Sequence, residues 1–347
     1  MEATRPLARR ATMRDVAGRA GVSTQTVSNL VNGRGHLMSD ETRARVETAM
    51  AELAYHPNSA ARGLRSARTR TLAFLLLDEG ARFLADPMTD LILAGIGDVA
   101  RDRGYRMLIQ AGRPEQTSTD LLGPVLENRA DAAFLFLSGE PVLRAWYAAR
   151  LAALGVPGVV FEDDWDEPGL LSVAAANRDG ARQLAEVLIA AGHRRIGFVA
   201  ARARWPMVEQ RRRGYDDALA AAGIAADRAL ARFEGVWDAR AGVDLAAALL
   251  AGRDPPTAIM CGNDLLALGV IQALRQSGRR VPDDVAVTGF NDFEFAAFVD
   301  PALTTVRTPG YEMGRTAAER LIDVLDGGSA ADRRVVLPVE LIRRSSA

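Results

Sequence analysis

Thr12 to Leu64 reads TMRDVAGRAGVSTQTVSNLVNGRGHLMSDETRARVETAMAELAYHPNSAARGL, and its spacing decides how the chain begins. Thr12 with Asp15 three residues on makes an N-cap pair for a first helix. Val16 and Ala20 then share one helical face. Gly21 permits a tight turn, and Ser23 is a natural N-cap for a second helix. That helix, 24–31, buries Val27, Leu30 and Val31 by spacing and leaves Thr24, Gln25, Ser28 and Asn29 on its polar side. Small hydroxyls and amides at a helix N-terminal end suit the major groove, where Gln pairs with adenine edges and Ser or Thr with several edges or phosphates. A third helix follows, so residues 12–56 form a helix-turn-helix head whose DNA-facing candidates are Thr12, Ser23, Thr24, Gln25, Thr26, Ser28 and Asn29.

Behind the head, Pro57 stops the third helix, and Asn58 can cap what comes next. Only Ser59 to about Arg65 remains for it, a length that is marginal in water, and Gly63 costs roughly 1 kcal/mol more than Ala. Residues 57–70 are therefore a hinge helix and linker that need a partner to order. Charge agrees with this division. Residues 1–70 carry 12 Arg against 6 Asp and Glu, while the rest carries 31 basic against 38 acidic side chains; every basic residue is Arg. A net charge of −1 thus hides a basic head on an acidic body, the asymmetry of a polyanion-binding module. Residues 1–11, with Arg5, Arg9 and Arg10, read as a flexible arm that either adds phosphate contacts or does nothing.

From residue 71 to 347, apolar runs alternate with helical periodicity. The strand-like runs are 72–77, 106–110, 132–137, 156–161, 196–200, 258–261 and 285–290. Helical stretches fall near 88–103, 141–154, 179–192, 207–222, 238–251 and 264–277. This alternation argues parallel sheets of the doubly wound kind, and 277 residues are too many for one such sheet. Gly95-Ile96-Gly97-Asp98-Val99-Ala100 matches G-x-G-x-x-A but lies inside helical periodicity, well after the preceding strand. A dinucleotide site needs that motif at a strand-to-helix turn, so it reads as small residues in a packed helix. His36, His56 and His193 stand in unrelated contexts, and Cys261 is alone. No metal spacing, catalytic triad order or P-loop occurs; no enzyme activity, cofactor or metal is expected. The N-terminus has no apolar signal segment and no run is long enough to span a membrane. With one Cys, this points to the cytoplasm, against the alternative of a secreted binding protein.

The chain resembles the lac-repressor (LacI/GalR) family of bacterial transcription factors. The resemblance is carried by RDVAGRAGVSTQTVSNLVNG and SDETRARVETAMAELAYHPNSAARGL, then by AGHRRIGFVA, NDLLALGVIQALRQSG, PDDVAVTGFNDFEFAAFVDPALTTVRTPGYEMGRTAAERL and LPVELIRRSSA. It implies an all-α helix-turn-helix head plus an α/β two-lobed periplasmic-binding-protein-like domain with three crossovers. The first lobe would take 71–171 with a returning segment near 302–328, the second 172–298 with the terminal strands. The implied partners are double-stranded, roughly palindromic operator DNA, a second copy of the chain, and a small-molecule effector. The hinge would form on DNA against its twin, with Asn58, Ala61, Arg62 and Leu64 touching DNA and Leu64 wedged into the minor groove. No leucine heptad follows the family ending, so a dimer is expected and no tetramer coil.

The resemblance also supplies ligand positions. Arg211, three before Gly214-Tyr215, stands where the family grips ligand hydroxyls or carboxylates. Asn263 heads NDLLALG and matches the ligand-binding Asn, with Asp264 beside it expected to cap the helix. Trp237 matches an aromatic that packs on a sugar face in some relatives. Trp205, Glu140 and Asn291 complete the set. Three departures bear on ligand class: Asp86-Pro87-Met88-Thr89 replaces Asn-Pro-Phe-Phe, Ala176-Asn177 replaces Asp-Asn, and Gly289-Phe290-Asn291-Asp292 replaces Gly-Phe-Asp-Asp. With Asn at 291, Arg211 would lack its usual balancing carboxylate, which favours an anionic ligand unless Glu140 or Asp86 restores the balance. The reading is a ligand-responsive, sequence-specific DNA-binding regulator of the repressor type. The expected effector is a sugar or sugar derivative, with a nucleoside or another polar metabolite as alternatives.

Overall fold

The computed structural model describes residues 11–31, 33–55, 68–78, 86–113, 119–163, 165, 167–201, 205–329 and 332–347. The chain divides into two compact units, Met1–Thr69 and Arg70–Ala347. The expected arm before residue 11, and Asn58, Ala61, Arg62 and Leu64 of the expected hinge, lie outside the described residues.

In the first unit, α1 (Met13–Ala20) opens with a reciprocal cap. The Asp15 N–H donates to Thr12 Oγ1 at 3.3 Å, and the Thr12 N–H donates to Asp15 Oδ2 at 2.7 Å. Gly21 ends the helix at φ +63°, a conformation that most side chains disfavour. Helix α2 (Thr24–Val31) starts from Ser23, whose Oγ accepts the Thr26 N–H at 3.1 Å. Helix α3 (Asp40–Glu52) starts from Ser39 in the same way. Val16, Val27 and Val46 are fully buried at the centre, with Ala17, Ala20, Ala49 and Tyr55 around them. Leu30 and Val31 are only half-buried against that cluster.

The second unit runs β1 (Thr71–Leu77), α4 (Pro87–Asp102), β2 (Arg106–Gly112), α5 (Gly123–Leu126), β3 (Ala132–Leu137), α6 (Pro141–Ala153), β4 (Gly158–Phe161) and β5 (Leu170–Ala175). It crosses to α7 (Asn177–Ala190), β6 (Ile196–Ala200), α8 (Pro206–Ala221), β7 (Ala231–Phe233), α9 (Ala239–Leu250), β8 (Ala258–Cys261), α10 (Asp264–Gln276) and β9 (Ala286–Thr288). It returns through β10 (Thr305–Arg307) to α11 (Gly310–Leu325) and β11 (Arg334–Leu337), and ends on β12 (Glu340–Ile342). One sheet has the order β11-β5-β4-β3-β1-β2 and a second β7-β6-β8-β9, all their pairs parallel, while β10 and β12 form a separate antiparallel pair. Successive residues of β1 serve opposite faces. Leu72, Phe74 and Leu76 join the cluster containing α4, whereas Ala73, Leu75 and Leu77 join the one containing Tyr147 of α6. Burial on both faces explains why the strands read as continuous apolar runs.

The lobes thus exchange chain three times, after β5, between β9 and α11, and between β11 and β12. One expectation needs correction. β11 is not in the second lobe: it pairs with β5 in the first sheet, Arg334 opposite Ser172. The open edge of β5 takes it as a sixth strand, and only the tail beyond reaches the second lobe, where the Val287 N–H donates to Ser346 O. The G-x-G-x-x-A segment lies within α4. A Cβ on Gly95 would stand 2.1 Å from the Tyr311 carbonyl oxygen of α11, so that glycine serves close helix packing.

Candidate functional site

On the head, Ser23, Thr24 and Gln25 are exposed and Thr26 and Asn29 half-buried. Gln25 Nε2 donates to Asn29 Oδ1 at 3.1 Å, one helical turn away. These five are the polar residues that solvent reaches on and just before α2. Thr12 holds its cap beside Asp15. Ser28 departs from expectation: it is 5% exposed. Val27 beside it is buried too, while Leu30 and Val31 are only half-buried, so the inward arc of α2 lies at 27–28 rather than at 30–31.

The second unit contains a cavity walled by both lobes. Leu76, Asp78, Asp86, Met88, Thr89 and Phe136 come from the first; Trp205, Met207, Arg211, Trp237, Asn263 and Asn291 come from the second. It measures about 50 Å³, narrow beside the roughly 300 Å³ or more of a drug-sized pocket. Trp205, just ahead of α8, stacks on Phe136 at 4.5 Å between centroids. Its surroundings also open to a wider groove of about 630 Å³ that includes Pro141, Arg144 and Phe233.

Arg211 organises the second-lobe wall. Its Nε donates to Asn177 Oδ1 at 2.8 Å, Nη1 to Gly262 O at 2.5 Å and Nη2 to Asn291 Oδ1 at 3.1 Å. Its guanidinium lies 3.8 Å from the Phe290 ring centroid. Asn291 Oδ1 also accepts from Thr308 Oγ1 at 3.1 Å. Asn177 passes the network to the first lobe, donating from Nδ2 to Glu162 Oε2 at 2.7 Å. Burial pushes the Glu162 carboxyl up to about 7, against the pull of Arg211, the Ala175 N–H and Asn177. Burial pushes Arg211 down to about 10, opposed by Glu162, Asp264 and Asp86. Asp264 is also pushed up to about 7 by burial, although Thr305 and the Phe293 N–H favour its charged form. Glu162 stands at φ +64° and Asn291 at φ +110°. Non-glycine residues in such regions cost of order 1–3 kcal/mol and cluster at functional sites.

Trp205, Arg211, Trp237, Asn263 and Asn291 therefore come together, and Glu140 does not join them. It is exposed at the N-cap of α6 and does not line the cavity. The capping assignment also changes hands: Asn263 Oδ1 accepts the Leu266 N–H at 2.8 Å. Asp264 turns inward instead, accepting from the Phe293 N–H at 2.8 Å and Thr305 Oγ1 at 2.6 Å. Nor does Arg211 stand without carboxylates near it: Glu162, Asp264 and Asp86 all favour its charged form, the last as the sequence reading allowed. Glu162 and Asp78 escaped sequence reasoning; each follows a strand end, the one available signal. Asp86 caps α4 through the Met88 N–H at 2.8 Å while lining the cavity. His193 sits against Thr257 at 3.0 Å, and Cys261 is fully buried. Among the described residues no group of three or more His, Cys, Asp or Glu is placed to hold a metal ion, and no helix is long and apolar enough to cross a membrane.

A helix-turn-helix head carried by a chain whose larger unit is a two-lobed α/β body with a polar cleft defines a DNA-binding regulator with a small-molecule-binding domain. Comparison with known proteins takes this to the family. Residues 12–58 match the model for bacterial regulatory proteins, lacI family, and residues 185–347 the model for a periplasmic binding protein-like domain. The HTH-type transcriptional regulator CelR of Thermobifida fusca is 33% identical, covering 97% of this chain and 98% of that one. The repressor CytR of Escherichia coli (strain K12) is 32% identical over 97% and 96%. A lac repressor dimer bound to operator and the anti-inducer ONPF superposes with a TM-score of 0.83 at 28% identity, covering 97% and 99%. The CelR–cellobiose complex gives 0.72 at 32%, covering 97% and 100%. The chain belongs to the lacI family of bacterial regulatory proteins, which are DNA-binding transcriptional regulators and not enzymes.

Proposed function

We propose that the chain is a cytoplasmic, effector-controlled repressor that binds a roughly palindromic operator as a homodimer and senses a carbohydrate-class compound in its cleft. The observation that carries this is the cavity itself. Two tryptophans, an arginine and two amides from one lobe face two carboxylates from the other, the mixture of stacking surface and convergent polar groups that suits a hydroxylated ring. In this reading Ser23, Thr24, Gln25, Thr26 and Asn29 face the major groove. Asn58, Ala61, Arg62 and Leu64 form the hinge contacts. Trp205, Arg211, Trp237, Asn263 and Asn291 hold the effector, with Asp78 and Asp86 opposite.

The relatives support it. CelR is found in complex with cellobiose, and the lac repressor dimer is bound to operator. Admitting a ring to so narrow a cavity moves the lobes, and the three crossovers give that movement a defined axis. Effector and DNA then bias one conformational equilibrium, so each changes the affinity of the other by the same factor. The test is fluorescence anisotropy of the full chain on DNA from its own promoter region, with and without a panel of sugars and nucleosides. The expected result is salt-sensitive binding by a dimer of 37.2 kDa protomers, with affinity shifted by at least one compound. Binding that ignores every compound while the same compounds occupy the cleft would overturn the coupling.

A further inference from the structure

We propose that Arg307 and Arg344 are positioning residues for the cleft: from two separate segments they clamp the Asp292 carboxylate and so fix Asn291, and through it Arg211, in the arrangement that meets an effector. This rests on reading the cleft as the effector site. It follows from where Asp292 stands and from what holds it.

Asn291 lines the cavity and Asp292, the next residue, does not. Both take left-handed backbone, at φ +110° and +55°, which a non-glycine residue keeps only where its surroundings impose it. For Asn291 the surroundings are the chain just ahead of α11. Its N–H donates to Val306 O at 2.7 Å, and its carbonyl accepts the Thr308 N–H at 3.3 Å. For Asp292 they are two guanidiniums. Arg307 Nη2 lies 2.8 Å from Oδ2 and Arg344 Nη2 lies 2.7 Å from Oδ1, so both carboxylate oxygens are engaged. The Asp292 side chain is only 5% exposed, and a carboxylate so buried cannot turn to water for replacement partners.

Both arginines come from chain next to the crossings between the lobes. Arg307 ends β10, on the crossing that leads to α11. It pairs across the β10–β12 ladder with Glu340, which opens β12 after the last crossing. Arg344 follows β12 and is seated by the protein itself. Its N–H donates to Thr304 Oγ1 at 3.0 Å and its Nη1 to Leu303 O at 2.8 Å. Two residues on, the buried Ser346 hydroxyl locks the tail, accepting the Thr304 N–H at 2.8 Å and donating to Val287 O at 2.6 Å. Movement of the crossings therefore reaches Asn291 through Asp292. Exposure ranks the parts. Arg307 and Glu340 are 52% and 65% exposed, and such pairs contribute little. Arg344 is 18% exposed beside the buried carboxylate, so its loss leaves a charge unmatched away from water and acts most.

The experiment is hydrogen exchange by mass spectrometry, with NMR of arginine Nε–H groups, on the full chain without ligand. The proteins are the parent, Arg344→Gln, Arg307→Gln and Glu340→Gln; Arg211→Lys identifies the Arg211 Nε–H signal by its loss. For Arg344→Gln the expected result is exchange about tenfold faster at 289–293 and 304–308, unchanged exchange in α9 and β6 of the same lobe, and a shifted Arg211 signal. Arg307→Gln should do the same more weakly, and Glu340→Gln least. Faster exchange spread evenly over the second lobe, or failure of both arginine variants to fold, would make the clamp a brace of the fold alone and overturn the proposal. Unchanged exchange at 289–293 or an unmoved Arg211 signal would overturn it too. Anisotropy on promoter DNA with the sugar and nucleoside panel separates this from the functional reading. A compound that shifts the parent's DNA affinity should bind Arg344→Gln about tenfold more weakly; undiminished binding defeats the clamp and leaves the effector role. A compound that occupies the parent's cleft without shifting DNA affinity, with the local exchange as expected, defeats the effector role and leaves the clamp.

Discussion

The face of α2 and the wall around Arg211 are both polar, and they are built on opposite terms. Ser23, Thr24 and Gln25 stand exposed, and Ser23 and Gln25 keep their partners within one helical turn. Arg211, Asn177, Glu162 and Asn291 are buried and bonded across 80 residues of sequence and both lobes. An exposed polar group loses little when its partner leaves, because water replaces it. A buried one keeps its desolvation penalty. The first surface is free to take DNA; the second is fixed in advance and couples whatever it holds to the crossover at residues 175–177. Mutations should therefore act on DNA affinity alone in the head, and on stability and ligand binding together in the cleft.

The largest effect is expected at Arg211. Arg211→Ala strips Asn177, Gly262 and Asn291 of a shared donor and removes the cation that favours the charged forms of Glu162 and Asp264. Removing one partner of a buried charged network costs about 3–5 kcal/mol. Chemical denaturation followed on the second unit should show that loss, and ligand binding should disappear. Arg211→Lys keeps the charge, but its three donors radiate from one nitrogen and cannot span partners that the guanidinium reaches from three, so stability should recover only in part. A variant as stable as the parent would mean that the cleft network is as loosely held as the head surface, and the contrast would fail.

A somewhat smaller effect is expected from pH. Glu162 is pushed from 4.5 to about 7, so between those values the folded state holds a proton that the unfolded state has released. Stability from this group is full below the unfolded value, falls as pH rises from about 4.5, and is gone above about 7. The difference is on the order of 3 kcal/mol. Asp264, also raised to about 7 by burial, changes in the same direction. Glu162→Gln retains an acceptor for Asn177 and should flatten the wild-type slope by one proton's worth in that window. Melting temperatures from pH 4.5 to 8 measure it, and parallel curves for the two proteins would place the Glu162 proton elsewhere.

The same contrast governs what the amino-acid sequence discloses. Thr12 with Asp15, Gly21 and Ser23 act on neighbours three or four residues away, so caps and turn were legible from spacing. Ser28 was misplaced because the inward arc of a short helix is set by the helices around it and not by its own spacing. In the body, apolar runs announced β1, β3, β6 and β8, while β5 hid behind Ser172, Ala174 and Ala175, whose strand propensity is low. The five cavity residues were found by resemblance, since nothing local joins Arg211 to Asn291. Glu162 was missed for the same reason: its meaning comes from Asn177 and Arg211, which other elements bring to it. Exchanging the roles of Asn263 and Asp264 was a matter of one residue, resolved only by the Phe293 and Thr305 partners that draw Asp264 inward.

The smallest effect is expected on the head. Gln25 Nε2 donates to Asn29 Oδ1 at 3.1 Å, which leaves its second N–H and its Oε1 for a base edge. A bidentate contact to adenine is worth about 1–3 kcal/mol, so Gln25→Ala should cost about that much per half-site. The loss should be confined to the true operator, because random DNA is held through phosphates that Gln25 does not serve. Melting of the head and ligand binding by the cleft should not change, since Gln25 is exposed. Anisotropy titrations on operator and scrambled duplexes at one salt concentration measure the difference. An equal loss on both duplexes would make Gln25 a phosphate contact. A fall in stability would show that the α2 face is braced like the Arg211 wall, which the exposed Gln25–Asn29 pair argues against.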